Sequence, residues 1–416
     1  MLDIEIGHKK TLIRIGRKKS LKTQVVSGGT SSEKSAKKSF VKKDLCAYLY
    51  TDAISHNIQQ LRKCCKDDVM FCAVVKANAY GHGILEVVDF LKDTDIDFFA
   101  VASTDEAFRI AKRIKRQQIL ILDPLYPSIP HKDIKQCASL GFNCTVSSIE
   151  TAKYIDSILN NTSSTLKVHV NIDTGMGRCG IVAENAGELV EYIYNSSTMK
   201  LSGIYTHFAN SDEQDLSFAE KQIASFKKLI SQLDHCITDN VIIHVANSSA
   251  TMRLPQSHFD MVRCGIAIYG YSTMKKPLPI DLKPALKLQA PIVHIITIEK
   301  GNSVNYGRKF IVDRKTKAAV LPVGYSGGFW RPFSSCSRVR INEHIVNVIG
   351  TITMNQMVID VTDVPDVQLG QPVTIIDNRL DSPCSVYSLA ALSKTICYEI
   401  LTSIPTWANV IVSNNS

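Results

Sequence analysis

The chain of 416 residues is 45% apolar and 7% aromatic and carries a net charge of +9. This length and composition exclude a disordered or fibrous protein and predict two domains, or one large barrel with an additional domain. Residues 1–44 hold 12 Lys and Arg against 4 Asp and Glu, a charge of +8, so the rest of the chain is nearly neutral and no nucleic-acid-binding face is indicated.

Residues 1–44 are rich in Ser, Gly and Lys and show no sustained periodicity, which predicts a basic, mostly disordered N-terminal extension. A solvated extension without a role, an upstream start codon and a targeting peptide are the three explanations. Asp3 and Glu5 argue against the targeting peptide, because such peptides are poor in acidic residues.

The sequence predicts a cytoplasmic enzyme. No stretch of about 18 consecutive apolar residues suggests a membrane span, and the N-terminus has no signal-peptide pattern. The twelve cysteines are scattered without paired CxxC spacings, which argues against a disulfide framework and against a metal site.

From about residue 45, short β-branched runs alternate with longer amphipathic stretches such as 54–64 and 218–233. This pattern is typical of parallel βα units. Eight runs within about 200 residues predict an α/β fold with a (β/α)8 barrel over residues 45–280, and a doubly wound open sheet is the alternative. The predicted strands are 70–75, 97–101, 119–122, 143–146, 167–172, 201–205, 242–246 and 260–263.

After about residue 280 the pattern changes to short alternating runs separated by Gly and Pro. It predicts a mostly β C-terminal domain over residues 281–416. Its predicted strands are 317–323, 337–342, 345–348, 357–361 and 372–376.

The stretch AVVKANAYGHG at residues 73–83 is the most informative part of the chain. An apolar run ends in Lys76, which enters a polar loop that contains glycine. A partly buried lysine loses some of its preference for the charged form, and the neutral amine is a nucleophile toward an aldehyde such as pyridoxal phosphate. The alternative is a lysine at the end of a strand that simply exposes its ammonium group to water.

In a (β/α)8 barrel the active site forms at the carboxyl ends of the strands, and five of the eight predicted strand ends carry suitable residues. Ser248, Gly265 and Ile266 could offer a hydroxyl and backbone N–H groups to a phosphate, with the phenol of Tyr80 beside them. A helix N-cap and a turn glycine are the alternatives for Ser248 and Gly265. The other strand-end residues are Lys76, Arg178, His207 and Asn247.

Over roughly residues 45–405 the chain resembles the alanine racemases, a family of barrel-type, two-domain pyridoxal-phosphate racemases. The blocks that carry the resemblance occur in that family's order. They are AVVKANAYGHG, NIDTGMGRCGI, GIYTHFANSDE, ANSSA, MVRCGIAIYG, VNYGRKF, LPVGYSGG and GTITMNQM.

The resemblance implies that Lys76 holds pyridoxal 5'-phosphate covalently and then acts as the acid-base group on one face of the substrate α-carbon. Tyr306 would serve the other face, because racemisation needs a proton removed on one side and returned on the other. In this family the tyrosine comes from the partner subunit, so the resemblance also implies a homodimer with shared active sites.

Arg263 is placed by the resemblance against the pyridine nitrogen, where many pyridoxal-phosphate enzymes have a carboxylate. A guanidinium cannot accept a proton, so negative charge stays nearer the α-carbon, which favours racemisation over transamination. His207 is expected beside Arg263, and Tyr80, Asn247, Ser248, Gly265 and Ile266 complete the cofactor site. Arg178 and the backbone N–H of Met354 would bind the substrate carboxylate, with Tyr325 at the entrance.

Four residues depart from the family pattern. Asn171 replaces a lysine that is carbamylated in many members, so Arg178 must be oriented by a neutral amide or a small anion. Asn355 and Thr353 replace the usual neighbours of Met354. Thr406 stands where a phosphate-binding tyrosine is usual, which predicts a weaker hold on the cofactor.

The resemblance therefore implies an isomerase, an alanine racemase that supplies D-alanine for peptidoglycan. A racemase with a broader amino-acid range is the nearest alternative. A pyridoxal-phosphate carrier of the single-barrel type and a decarboxylase of the same barrel class are less favoured, because of the β-domain that bears Tyr306 and because of Arg263, respectively.

Overall fold

The computed structural model describes residues 45–114 and 116–414. The basic extension predicted for residues 1–44 lies outside them. Within the described ranges, none of the helices combines the length and the apolar character needed to cross a bilayer. The first element is strand β1, Cys46–Tyr50.

Eight parallel strands form a barrel, and a two-residue strand, β7, pairs beside the fifth of them. Backbone hydrogen bonds from Asp260 to Ile243 (3.0 Å) and from Arg263 to Ala246 (2.9 Å) join the last two strands and close the ring. The predicted (β/α)8 barrel is confirmed, and the open-sheet alternative is wrong. The strands are β2 Met70–Val74, β3 Phe98–Val101, β4 Gln118–Ile121, β5 Asn143–Val146, β6 Leu166–Asp173, β7 Ile181–Val182, β8 Met199–Tyr205, β9 Ile242–His244 and β10 Met261–Cys264.

The helices that connect these strands bury their apolar face against the barrel and expose their polar face. Several begin at a side-chain cap; for example, the Ser103 hydroxyl accepts from the Glu106 N–H, and the Ser148 hydroxyl accepts from the Thr151 N–H. The helices of this part of the chain are α1 Thr51–Arg62, α3 Ile84–Leu91, α4 Thr104–Ala111, α5 His131–Leu140, α6 Ile149–Leu159, α7 Ala183–Tyr194, α8 Ser217–Gln232 and α9 Ser248–Arg253, and α2 Lys76–Tyr80 is a left-handed turn.

The rest of the described chain is mostly β, as predicted, and its largest sheet has nine strands. One of these nine strands is β1, from the start of the described chain, which pairs with β11 and with the last strand, β20. These elements are β11 Leu286–Pro291, β12 His294–Ile298, β13 Ser303–Val304, β14 Phe310–Ile311, β15 Thr316–Leu321, β16 Arg338–Ile341, β17 His344–Ile349, β18 Met357–Asp360, β19 Pro372–Ile376, α10 Val386–Leu392, α11 Cys397–Thr402 and β20 Asn409–Ser413.

The interior of the barrel contains polar side chains as well as aliphatic ones. His169 on β6 and His244 on β9 are both completely buried, and their ring nitrogens lie 2.8 Å apart. The register of β6 and β8 shifts at His169, which brings Gly203 against the His169 ring. A Cβ atom at Gly203 would lie 2.4 Å from His169 Nδ1. The barrel therefore needs a residue without a side chain at this position.

We predict that Gly203→Ala destabilises the fold by about 1–3 kcal/mol, because the added methyl overpacks a ring that hydrogen bonds prevent from moving. Gly187→Ala, in helix α7, is the control: no atom lies within 4 Å of its added Cβ, and alanine in a helix gains about 0.5–1 kcal/mol. Urea unfolding measures both free energies. Equal effects of the two substitutions would contradict the packing argument.

Candidate active site

Lys76 follows β2 and begins a left-handed turn. Ala77, Asn78 and Ala79 have φ of 53–55° and ψ of 43–52°, and Tyr80 has φ of 53°. Each non-glycine residue in this conformation costs roughly 1–2 kcal/mol, so surrounding contacts must hold the turn in place. The turn directs the residues after Lys76 away from the path of a right-handed helix.

Lys76 is half-buried, and its surroundings lower the pKa of its ammonium group below the usual 10.5. Burial is the largest cause, and the nearby guanidinium groups of Arg178 and Arg263 act in the same direction. The carboxylates of Asp123 and Glu106 oppose them but do not reverse the shift. At a given pH, a larger fraction of Lys76 is therefore in the neutral amine form than for an ordinary surface lysine. The sequence predicted this effect for a partly buried lysine.

The guanidinium of Arg263 is buried and its partners are neutral. Its Nη1 donates to His244 Nδ1 (2.7 Å), and its Nη2 donates to the carbonyls of Thr206 (2.9 Å) and Val245 (3.1 Å) and to His207 Nδ1 (3.3 Å). It also lies over the ring of Tyr205, at 5.1 Å from the centroid. In the described part of the chain no carboxylate forms an ion pair with it.

The neighbouring imidazoles are held neutral in defined tautomers. Because Arg263 can only donate, His244 Nδ1 must accept; its Nε2–H then donates to His169 Nδ1. Burial, reinforced by the charge of Arg263, lowers the pKa of His169 to about 3 and that of His244 well below 6.5. The same two causes, with Arg178 and Lys76, lower the pKa of His207 to about 3.

Four of the predicted phosphate-binding residues meet at the ends of β9 and β10. Ser248 Oγ accepts from the backbone N–H groups of Gly265 (2.9 Å) and Ala267 (3.4 Å). A Cβ atom at Gly265 would lie 2.3 Å from the hydroxyl of Tyr80, and the buried Ile266 follows in a 3₁₀ turn. The absence of a side chain at position 265 therefore allows the Tyr80 hydroxyl to lie close to the backbone N–H groups of this turn.

Asn247, also predicted to bind the cofactor, uses its side-chain oxygen within the protein. Its Oδ1 caps helix α9 by accepting from the Ala250 N–H (3.0 Å) and also accepts from the Ser211 hydroxyl (2.9 Å). Only its amide N–H groups remain for a ligand, because both lone-pair directions of the oxygen are used.

Arg178 lies in the exposed loop after β6, where Asp173 organises the backbone. The Asp173 carboxylate accepts from the N–H groups of Gly175 (2.8 Å) and Gly177 (3.0 Å). Burial alone would raise the pKa of Asp173, but these donors outweigh it and lower the pKa below 3.8. Asn171 donates to the carbonyl of Cys179 (3.2 Å), and its buried Oδ1 has no partner among the described residues.

Tyr306 and Met354 lie in the β-domain, apart from the barrel group. They line a groove of about 920 Å³ with Tyr325, and its lining residues are all from the β-domain. Tyr306 is 74% exposed and Met354 is 55% exposed. Thr406 is also exposed and lines a different cleft, next to Trp407.

Several residues of the barrel group were not predicted from the sequence, chiefly His169, His244, Thr206 and Glu106. An imidazole within a strand of β-branched residues, as in VHVNID and VIIHVA, was the available signal for the two histidines. In the sequence, Glu106 has the position of an ordinary acidic residue in the first turn of helix α4.

The donor set fits pyridoxal phosphate. Hydroxyl and N–H donors around Ser248 suit a phosphate, a buried cation without an acidic partner suits a lone pair on a ring nitrogen, and Lys76 offers an amine of lowered pKa. These groups occupy one end of the barrel, at the carboxyl ends of its strands.

Family models match both parts of the chain. The model described as "Alanine racemase, N-terminal domain" matches residues 49–273, and "Alanine racemase, C-terminal domain" matches residues 285–411.

Individual relatives agree with these matches. The chain is 36% identical over 353 residues to alanine racemase 1 of Clostridium acetobutylicum, covering 84% of this chain and 90% of the relative. It is 33% identical over 359 residues to alanine racemase 1 of Caldanaerobacter subterraneus, covering 86% and 91%. A solved structure of alanine racemase from Bacillus anthracis with bound L-Ala-P superposes with a TM-score of 0.82 at 33% identity, covering 90% of this chain and 96% of that one.

We predict that the buried histidines make the protein less stable in acid. An unfolded histidine titrates near 6.5, so between pH 6.5 and about 3 the unfolded chain binds a proton that folded His169 does not, and stability falls as the pH falls. His169→Gln should reduce this dependence by about 1 kcal/mol per pH unit on average between pH 7 and pH 5, and the limit is about 1.4 kcal/mol per unit well below pH 6.5. Urea unfolding at pH 5 to 7 measures the slope, with the exposed His294→Gln as control. An unchanged slope in His169→Gln would contradict the prediction.

Proposed function

Because the chain belongs to the alanine racemase family, we propose that it interconverts L- and D-alanine with Lys76 and Tyr306 as two opposed bases. The activity follows from the family: the chain is an isomerase that depends on pyridoxal phosphate. D-Alanine for peptidoglycan is the product that we assign to it. The residue roles are our proposal.

The observation that best supports racemisation is the environment of Arg263. When bound, pyridoxal phosphate supplies a carbonyl that condenses with the amino group and a ring that stabilises negative charge at the α-carbon. Arg263 cannot accept a proton, and its neighbours His207 and His244 have lowered pKa values. Arg263 would leave a ring nitrogen beside it unprotonated, which would keep negative charge near the α-carbon and favour return of a proton there.

Lys76 and Tyr306 would move the proton. Lys76 follows β2, and the lowered pKa of its amine increases the fraction of the neutral form that can accept a proton. The Tyr306 phenol would act from the opposite face. Its backbone is held by Thr351, whose hydroxyl donates to the Tyr306 carbonyl at 2.9 Å.

Arg178 and the N–H of Met354 would bind the substrate carboxylate. The Arg178 guanidinium is exposed on a loop whose backbone is tied to Asp173, so its fork is free to make paired hydrogen bonds. The Met354 carbonyl accepts from Ser326 N–H (3.0 Å), which helps to orient the adjoining backbone.

We propose a homodimer in which each active site joins one barrel to the partner's β-domain. The groove that contains Tyr306 is lined by β-domain residues alone, and three large side chains in it are 43–74% exposed. Such an exposed apolar and aromatic surface is typical of an interface. We also propose that the chain divides at about residue 280 and that the protein is cytoplasmic. The family-model boundaries support the division, and the lack of disulfides among the described cysteines supports the location.

We predict that Tyr306→Phe slows α-hydrogen exchange into deuterated solvent about 10²–10⁴-fold for one enantiomer of alanine and much less for the other. The phenol is the base on one face only, so its loss leaves the other face with Lys76. Proton NMR of each enantiomer measures exchange, and Tyr325→Phe in the same groove is the control. Equal losses for both enantiomers would refute opposed bases, and absence of racemisation by the unmodified protein would refute the function.

We predict that inactive Lys76→Ala and Tyr306→Phe proteins recover activity when their subunits are mixed. A hybrid dimer has one site with both intact residues, so recovery should approach a quarter of the unmodified activity for random exchange between equal amounts. Native mass spectrometry verifies the exchange. Verified exchange without recovery would mean that Lys76 and Tyr306 act within one chain.

A further inference from the structure

The left-handed turn after Lys76 is held at its far end by its own sequence. Asn78 Oδ1 accepts from the Ile84 N–H (3.1 Å), and the Asn78 carbonyl accepts from the Gly83 N–H (3.0 Å). The buried His82 Nδ1 lies 3.0 Å from the Ala79 carbonyl and 2.9 Å from the Tyr80 carbonyl. These contacts fix the end of the turn but not its first peptide, which adjoins Lys76.

The first peptide of the turn is held from another element. The backbone N–H of Ala77 donates to Glu106 Oε1 (2.8 Å), and the N–H of Ala102, directly after β3, donates to Glu106 Oε2 (2.9 Å). One carboxylate thus bridges the residue after Lys76 and the end of the neighbouring barrel strand. Hydrogen bonds to an ionised acceptor are stronger than neutral ones.

The sequence around Glu106 would normally predict a different contact. Ser103 and Glu106 form the spacing of a capping box, in which the glutamate reaches back to the N–H of the capping residue. Here the Ser103 hydroxyl does accept from the Glu106 N–H (3.4 Å), but both carboxylate oxygens bind outside the helix. The side chain therefore serves the turn at Lys76 and the barrel rim.

We propose that Glu106 is a positioning residue that holds the strained turn and thereby aims the Lys76 amine into the site. This inference rests on the proposed role of Lys76 as cofactor anchor and base. The Lys76 side chain can point in one direction only if the peptide between Lys76 and Ala77 does not rotate. A strained backbone relaxes when its contacts are removed, so this peptide must be held in place. The Glu106 carboxylate is the contact that opposes this rotation.

The charge of Glu106 provides a second, separable effect. Lys76 is influenced by the cations Arg178 and Arg263, by the carboxylates of Asp123 and Glu106, and by burial. His207, which is affected by the charge of Lys76, has a lowered pKa and is neutral. Removal of the Glu106 charge should lower the pKa of Lys76 further, since one of two opposing anions is lost.

The test compares Glu106→Gln and Glu106→Ala with Asp105→Asn in the holoenzyme. Asp105 is exposed in the same first turn of α4, so its variant removes an equal charge from the same helix end. Glutamine keeps one acceptor oxygen but presents an amide N–H to the other backbone N–H. We expect hydroxylamine to bleach the visible cofactor band about tenfold faster in both Glu106 variants and within twofold of normal in Asp105→Asn.

Three further measurements separate positioning from a general loss of structure. In Glu106→Gln, kcat should fall about tenfold while KM for alanine stays within twofold, because Arg178 is untouched. The pH midpoint for capture of added pyridoxal phosphate by the apoprotein should move down in Glu106→Gln and not in Asp105→Asn. Ala77→Gly combined with Glu106→Ala should restore part of the resistance to hydroxylamine, because glycine adopts φ near +53° without strain.

The proposal is overturned if the Glu106 variants bleach no faster than Asp105→Asn, or if Ala77→Gly restores nothing. If Glu106→Ala does not fold, Glu106→Gln with and without Ala77→Gly decides the same question. A failure of the proposed function would appear in the unmodified protein, as absence of a cofactor band or of racemisation. A failure of this inference would appear only among variants of an active enzyme.

Discussion

The buried guanidinium of Arg263 is the constraint on which the site at the carboxyl ends of the barrel strands depends. Removing a cation from water is costly, and here two backbone carbonyls and two imidazole nitrogens compensate for the lost hydration. These partners are neutral, so the positive charge persists, and burial together with this charge lowers the pKa of the histidines around it. The site thus keeps a permanent charge at a fixed place, while Lys76, one of the two groups proposed to exchange protons, follows the neighbouring strand β2.

The second constraint is mechanical. Lys76 is followed by four non-glycine residues with φ near +53°, a conformation that no local preference of Ala or Tyr supports. The turn persists because hydrogen bonds hold both ends: local contacts of Asn78 and His82 at the far end, and Glu106 from helix α4 at the end next to Lys76. Strain at this point is compatible with a site that must hold one amine in one direction, since the competing relaxed backbones would release it.

The structure shows what Asn171 and Thr406, two of the residues that depart from the family pattern, contact in this protein. Asn171 donates to the Cys179 carbonyl and leaves a buried oxygen without a partner, so its contact is with the loop backbone that carries Arg178. The Arg178 loop is organised instead by Asp173, whose carboxylate collects backbone N–H groups. Thr406 is exposed beside Trp407, and the residues that line its cleft do not include Ser248 or Gly265, which are proposed to bind the phosphate.

The sequence by itself determined the barrel, the β-domain and the main barrel-end residues, because strand periodicity and polar residues at strand ends are local signals. Strand β1 escaped prediction, since it pairs with β20 more than 350 residues away. Only the tertiary structure decided that His169 meets His244, that Glu106 binds the Ala77 N–H, and that Tyr306 lies in a groove apart from Lys76. Each of these depends on distances between residues far apart in the chain, which closure of the barrel and packing of its rim determine and which no local pattern encodes.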